Sequence, residues 1–178
     1  MKRSKSVRLV AMGTGLLLIT GCEEAKLDTA LFESVKQCTE LGFTQQECVT
    51  NYQQAQRTHI SAAPKYTSQS DCEADFGTKK CEVAPQRTTS GGSVFMPMMA
   101  GYMMGSMLSG GGRGQPLYRA AGNSKTFRTA NNMAVGSTVG RTKVAQSATQ
   151  TPKAKTRTTS RGGFGANARS TVRRSFGG

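Results

Sequence analysis

Tryptophan is absent from this 178-residue chain, and tyrosine and phenylalanine number only four and seven. So few large apolar side chains limit the core that the length alone would allow. There is one histidine, His59, and no Cys-x-x-Cys pair. A hydrolase triad would have to use that histidine, and no nucleophile stands in a recognisable turn context. The missing Cys-x-x-Cys removes a thioredoxin-like redox site. No glycine loop leads into a lysine and a helix to hold a nucleotide phosphate. Asp71, Glu73 and Asp75 lie close together but do not form a calcium-loop series. Catalytic residues, a cofactor and a metal are therefore not expected. His59 reads as a surface residue near the end of a helix.

Acidic residues also stop early. Residues 23–82 hold ten acidic and six basic side chains, whereas residues 83–178 hold fourteen Lys or Arg and no Asp or Glu. The net charge of +14 is thus unevenly placed, and the composition reads as two materials joined in one chain.

No apolar run reaches the roughly 20 residues needed to cross about 30 Å of hydrocarbon. The N-terminus has a shorter one. Lys2, Arg3, Lys5 and Arg8 precede an apolar stretch of twelve residues from Leu9 to Thr20, and Leu18-Ile19-Thr20-Gly21-Cys22 closes it. A basic start, a short apolar run and small residues before a cysteine form a secretion signal with a lipidation site. Residues 1–21 are expected to be removed, leaving Cys22 to carry lipid and residues 22–26 as a tether. Several acyl chains give stable attachment where one gives only marginal binding. The absence of Asp after Cys22 resembles Gram-negative lipoproteins sorted to the outer membrane, so that membrane is favoured over the inner one. The chain would face the periplasm.

Export changes how the other cysteines read. Cys38, Cys48, Cys72 and Cys81 make an even number of thiols in a small exported region, the usual setting for disulfides. The region repeats itself: Ser34 and Ser68 each lie four residues before a cysteine, and Gly42 and Gly77 follow. Ser34 with Gln37, and Ser68 with Asp71, fit N-cap pairs that start short helices, which the glycines then stop. Each second cysteine can then return to the first. The spacing favours Cys38–Cys48 and Cys72–Cys81 over the two crossed connectivities, without excluding them. Gaps of nine and eight residues do not suit a structural zinc site, whose close pairs are separated by two to four. Thr44 and Glu47 form a further capping box, and a helix is expected over 45–58. Residues 29–32 read as a short extended piece.

Six of the nine methionines fall in residues 94–109. As a helix, with Pro97 in its first turn, this stretch would be about 22 Å long at 1.5 Å per residue; three readings stay open, in which it lies against the lipid surface, packs on the cysteine domain or a partner copy, or is an unstructured patch. Gly101 and Gly105 form a Gly-x-x-x-Gly pair that would let two backbones approach. Met96, Met99, Gly101, Tyr102, Met103 and Gly105 are the residues expected to make self-association or membrane contacts. Phe95-Met96-Pro97 and Met99-Ala100-Gly101-Tyr102-Met103-Met104-Gly105 resemble the central signature of the YgiB-like family of predicted enterobacterial lipoproteins of unknown function. Ala63-Pro64-Lys65-Tyr66 and Arg161-Gly162-Gly163-Phe164-Gly165 resemble that family too, in the same order. The resemblance implies an envelope location and supplies no reaction or ligand. The chain is shorter than the typical member and lacks the tryptophan expected near Phe95.

Residues 110–178 combine Gly, Ser, Thr, Ala and Asn with Arg and Lys, and no period persists, a composition that favours disorder. The expected fold class is therefore a small disulfide-stabilised, mainly helical domain (α or α+β) over 27–83, a linker over 84–93, the apolar segment, and a largely disordered basic tail. Phe164 and Phe176 would be sparse sticking points. Arg157, Arg161, Arg169, Arg173 and Arg174 would engage anionic lipid, lipopolysaccharide or peptidoglycan, each contributing about 1 kcal/mol near an anionic surface; the alternative reading of this segment is a solubilising spacer. The functional expectation is a non-catalytic envelope adaptor, with an envelope protein as a further partner. The alternative is a self-associating structural or stress-related lipoprotein. A nucleic-acid binder would require the export reading to fail.

Overall fold

Helix caps account for the first half of the fold. The computed structural model describes residues 24–105, 114–159 and Phe164. After strand β1 (Lys26–Phe32), the Ser34 hydroxyl accepts the Gln37 N–H at 3.2 Å and opens helix α1 (Val35–Glu40). Thr44 opens α2 (Gln45–Ala62) through a reciprocal capping box with Glu47. Ser68 accepts the Asp71 N–H at 3.1 Å at the start of α3 (Gln69–Phe76), just beyond β2 (Lys65–Tyr66). These contacts satisfy N–H groups that a helix start leaves without partners. The chain turns back at Gly42 and Gly77, whose φ values are +87° and +104°. Disulfides then join Cys38 to Cys48 and Cys72 to Cys81, with Cα separations of 5.8 and 6.2 Å.

Among the described residues, the elements that follow are strands apart from one 3-10 helix. β3 (Cys81–Arg87), β4 (Ser93–Pro97), β5 (Gly101–Met104), β6 (Gln115–Ala120), β7 (Asn123–Thr129), β8 (Ala134–Gly136) and β9 (Gly140–Ala145) precede a short 3-10 helix (Gln146–Thr149) and β10 (Thr158–Thr159). Six strands form an antiparallel sheet in the order β8-β7-β6-β5-β1-β9. Its end strands β8 and β9 come back against each other, so it nearly closes into a barrel. A second sheet has the order β10-β2-β4-β3, with β10 parallel to β2.

The pairing of β1 with β5 explains how the core is divided. Leu31 stands opposite Met103, and both enter the barrel interior with Leu117, Phe127, Val135 and Val144. Their neighbours Phe32 and Tyr102, also opposite each other, face α1 and α2 among Phe43, Cys38 and Cys48. Successive side chains on a strand point to opposite faces, so one short ladder serves two cores. A third cluster joins the second sheet to α3 and the outer face of β6 through Tyr66, Phe76, Met96, Tyr118 and Phe164.

Two expectations from sequence fail on this geometry. Residues 94–109 do not form one apolar helix within their described part, because β4 and β5 occupy it. Every residue of β5 is buried, which erases the alternation that marks a strand with one wet face. Nor is the basic segment disordered over 114–159, where β6 to β10 lie. Its composition is polar, yet Leu117, Phe127, Val135 and Val144 fall at positions facing the barrel interior, and Tyr118 is buried on the opposite face of β6. The architecture is a disulfide-stabilised α+β fold, the second of the two classes expected, but strands rather than helices dominate it and, among the described residues, they continue to Thr159. α2 also continues past the expected residue 58, to Ala62.

Gly101 shows how tightly β5 and β1 fit. A Cβ on Gly101 would run into the Phe32 carbonyl, whereas one on Gly122 would meet nothing within 4 Å. Overpacking of this kind costs about 1–3 kcal/mol. Gly101→Ala should therefore lower the urea midpoint by an equivalent of about 2 kcal/mol, and Gly122→Ala should leave it within about 0.5 kcal/mol; equal midpoints would contradict the fit.

Candidate functional site

Parallel pairing of β10 with β2 gathers positive charge. Thr158 stands opposite Lys65 and Thr159 opposite Tyr66. The segment before β10 is tied down as well: the Lys155 N–H donates to the Ser61 carbonyl at 2.9 Å, and its ammonium donates to the Ala130 carbonyl at 2.6 Å. The Lys65 ammonium donates to the Ile60 and Ser61 carbonyls at 3.1 and 3.2 Å. These oxygens end α2, where unpaired carbonyls and the helix dipole both favour a cation. Across the second sheet, the β3–β4 turn is closed by Thr88, whose N–H donates to the Gly92 carbonyl at 2.9 Å. Arg87 donates to the Gly91 carbonyl at 3.3 Å on the same turn.

Lys65, Arg87, Lys155 and Arg157 thereby line one cleft of about 650 Å³, whose lining contains no Asp or Glu. None of the four makes an ion pair among the described residues. Burial pulls the Lys65 ammonium below the ordinary lysine range. Burial does the same to Lys155, and the charge of Lys65 adds to it. Arg87 and Arg157 remain exposed. Such a cleft can attract and hold an anion.

Arg157 is the one expected surface-binding arginine within the described residues; Arg161, Arg169, Arg173 and Arg174 lie outside them, as does Cys22. Lys65, Arg87 and Lys155 were not singled out from sequence. Arg87 and Lys155 are marked there only by falling in the acid-free half, and Lys65 only by its place in the Ala63-Pro64-Lys65-Tyr66 motif.

The residues expected to form a methionine contact face are dispersed. Tyr102 and Met103 are fully buried, Met96 is nearly so, and Gly101 abuts β1. A helical stripe for self-association or membrane contact is thus not formed over the described part of the stretch. Met99 is half-buried and lines a second cleft with Met96, Met98, His59 and Glu82. Gly105 borders a smaller cavity of about 290 Å³ beside Met104 and Arg141.

His59 is buried at 6% exposure, contrary to the surface position read from sequence. Its Nδ1 lies 2.9 Å from the Tyr118 hydroxyl and its Nε2 lies 3.1 Å from Glu82 Oε1. A carboxylate only accepts, so Nε2 carries the proton and Tyr118 donates to Nδ1. The Tyr118 hydroxyl is pushed up strongly by burial and then by Glu82, which keeps it a donor. Both ring nitrogens are therefore occupied within a structural network. Burial pulls His59 below the usual imidazole range, against the opposing pull of Glu82; Lys65 adds to the lowering.

Phe164 is likewise a core residue rather than a sticking point. Its ring lies 4.6 Å from that of Phe76, and its N–H donates to Asp75 Oδ2 at 3.1 Å. The same oxygen accepts the Tyr66 hydroxyl at 2.8 Å.

A family described as "Protein of unknown function (DUF1190)" matches residues 26–176. The chain is similar to the UPF0441 protein of Sodalis glossinidius, 36% identical over 170 residues, covering 88% of this chain and 79% of that one. It is also similar to the UPF0441 protein of Yersinia pestis bv. Antiqua, 34% identical over 186 residues, with 92% and 82% covered. The UPF0441 protein of Serratia proteamaculans is 33% identical over 169 residues, with 85% and 77% covered. No solved structure matches.

The His59 network makes stability depend on pH. The folded-state pKa lies below the unfolded value, so the folded chain resists binding this proton. The contribution is complete above about pH 6.5 and is lost as the pH falls through that value toward the folded pKa. The melting temperature should drop between about pH 7.5 and pH 5 in the native chain. In His59→Gln that part of the slope should vanish; an unchanged slope would place the titration elsewhere.

Proposed function

The chain belongs to the DUF1190 family of proteins of unknown function, and for this member of it we propose the role of a non-catalytic adaptor of the cell envelope. In this reading Cys22 carries the lipid, the folded part faces the periplasm, and the outer membrane is favoured over the inner. The resemblance to YgiB-like lipoproteins supports it, as does the signal layout of residues 1–22. The two disulfides fit an oxidising compartment. No helix among the described residues is long and apolar enough to cross a membrane, and attachment in this proposal falls to the lipid.

One observation carries the adaptor reading: the acid-free cleft of Lys65, Arg87, Lys155 and Arg157. It gives the basic half of the chain a formed place at which to meet anionic lipid, lipopolysaccharide or peptidoglycan. An envelope protein is the second kind of partner proposed, and no specific nucleic acid is expected. A catalytic role for His59 is not proposed, because Tyr118 and Glu82 occupy its ring nitrogens. The alternative of a self-associating structural or stress-related lipoprotein drew on a helical Gly-x-x-x-Gly face, and no observation now favours it.

Intact mass of the protein purified from its own membranes tests the location. The expected species begins at Cys22 with added acyl mass; one beginning at Met1 with an unmodified thiol would overturn the reading. Co-sedimentation of the chain from residue 22 with Cys22→Ser, which carries no acyl group to enter vesicles by itself, tests the adaptor role. Binding to anionic vesicles or isolated peptidoglycan should weaken as salt rises, and failure to bind either at low salt would remove the proposed role.

A further inference from the structure

We propose that the basic cleft is a binding site for a phosphate monoester carried on a larger molecule, such as a sugar phosphate or a phosphate-headed lipid. This rests on the anionic-surface reading above and narrows it to one place and one ligand chemistry.

Charge is the first ground. Lys65 and Lys155 are drawn out of water against each other, and their hydrogen-bond acceptors are neutral carbonyls. With Arg87 and Arg157 the lining carries four formal positive charges and no negative one. A carboxylate would offset one of them. A phosphate monoester brings about 1.5 to 2 negative charges near neutral pH and three strong acceptor oxygens.

Geometry is the second. The strand order β10-β2-β4-β3 sets Arg157 beside one edge of the sheet, Arg87 on the strand at the other, and Lys65 between them. The two exposed guanidinium groups are free of carboxylates among the described residues, and guanidinium forks match phosphate oxygens in pairs. The hydroxyl-bearing residues Thr89, Thr156 and Thr158 share the lining. Size is the third ground. About 650 Å³ lies within the range of small-molecule sites and far exceeds a bare phosphate, so the ester's organic part has room.

The test uses the detergent-free chain from residue 22 with Cys22→Ser, which lacks the acyl anchor that would carry it onto any vesicle, with glucose 1-phosphate, glucuronate, and phosphatidylcholine vesicles with or without phosphatidic acid. Calorimetry reads the soluble probes and flotation reads the vesicles. Arg87→Ala/Arg157→Ala removes two exposed cleft charges, while Lys80→Ala/Lys125→Ala removes two exposed charges elsewhere. Glucose 1-phosphate or phosphatidic acid should bind in preference to glucuronate or plain vesicles. The cleft pair should weaken that binding about tenfold, and the control pair should stay within about twofold. Selective binding of either source supports the site and identifies it as taking a free or a lipid-borne ester. Equal weakening by both pairs, or equal affinity for glucuronate, overturns it. If anionic vesicles still bind in that case, the broader reading stands; if no anionic material binds, both fall.

Discussion

The short ladder between β1 and β5 is the constraint on which the other elements depend. Ala30, Leu31 and Phe32 meet Met104, Met103 and Tyr102 across it. The alternation of the pleat sends Leu31 and Met103 into the barrel and Phe32 and Tyr102 toward the helices. A slip of one residue would reverse every assignment at once. The Phe32 carbonyl against Gly101 opposes such a slip, because a bulkier residue in that register would clash. The disulfide-linked α1 and α2 have a platform only because this ladder presents aromatic rings to them, with Phe32 5.2 Å from Phe43 and Tyr52 5.5 Å from Tyr102.

Local signals were legible in the sequence. Ser34, Thr44 and Ser68 cap their helices through partners three residues away, and each disulfide closes within ten residues. Chemistry confined to so short a span is written in the spacing itself. The methionine stretch was not legible as strands, because Gly101–Met104 are buried on both faces. A continuous apolar run has no period by which to choose between helix and strand. The second half was not legible as a sheet because its few inward residues are diluted by Thr, Ser, Asn and Arg. The cleft was hidden for a different reason. It depends on the pairing of Thr158 with Lys65, two strands of two residues each, far apart in the chain.

The uneven charge of the chain becomes an ordered feature of the fold. Residues of the acidic half meet those of the basic half across elements: Asp28 lies 3.7 Å from Lys143, and Glu33 lies 2.7 Å from Arg119. Arg119 and Arg141 also lie over the rings of Phe127 and Phe43, at 4.2 and 4.6 Å from the centroids. Exposed pairs of this kind contribute little stability. Several second-half cations are thus occupied by the fold, while the four in the cleft have no carboxylate among the described residues.

The neighbours of β1 set the order of events in folding. Lys26 pairs with Ala145 and Leu27 with Val144, so the first strand has a complete edge only once the ninth has been made. Contacts this distant in sequence carry a large loop-closure entropy and slow the search for the native state. A chain emerging N-terminus first can form its capped helices and both disulfide loops early, but its barrel stays open until residues near 145 are free. The six-stranded sheet is therefore completed by its most sequence-distant pairing, between the strands that begin and end it along the chain.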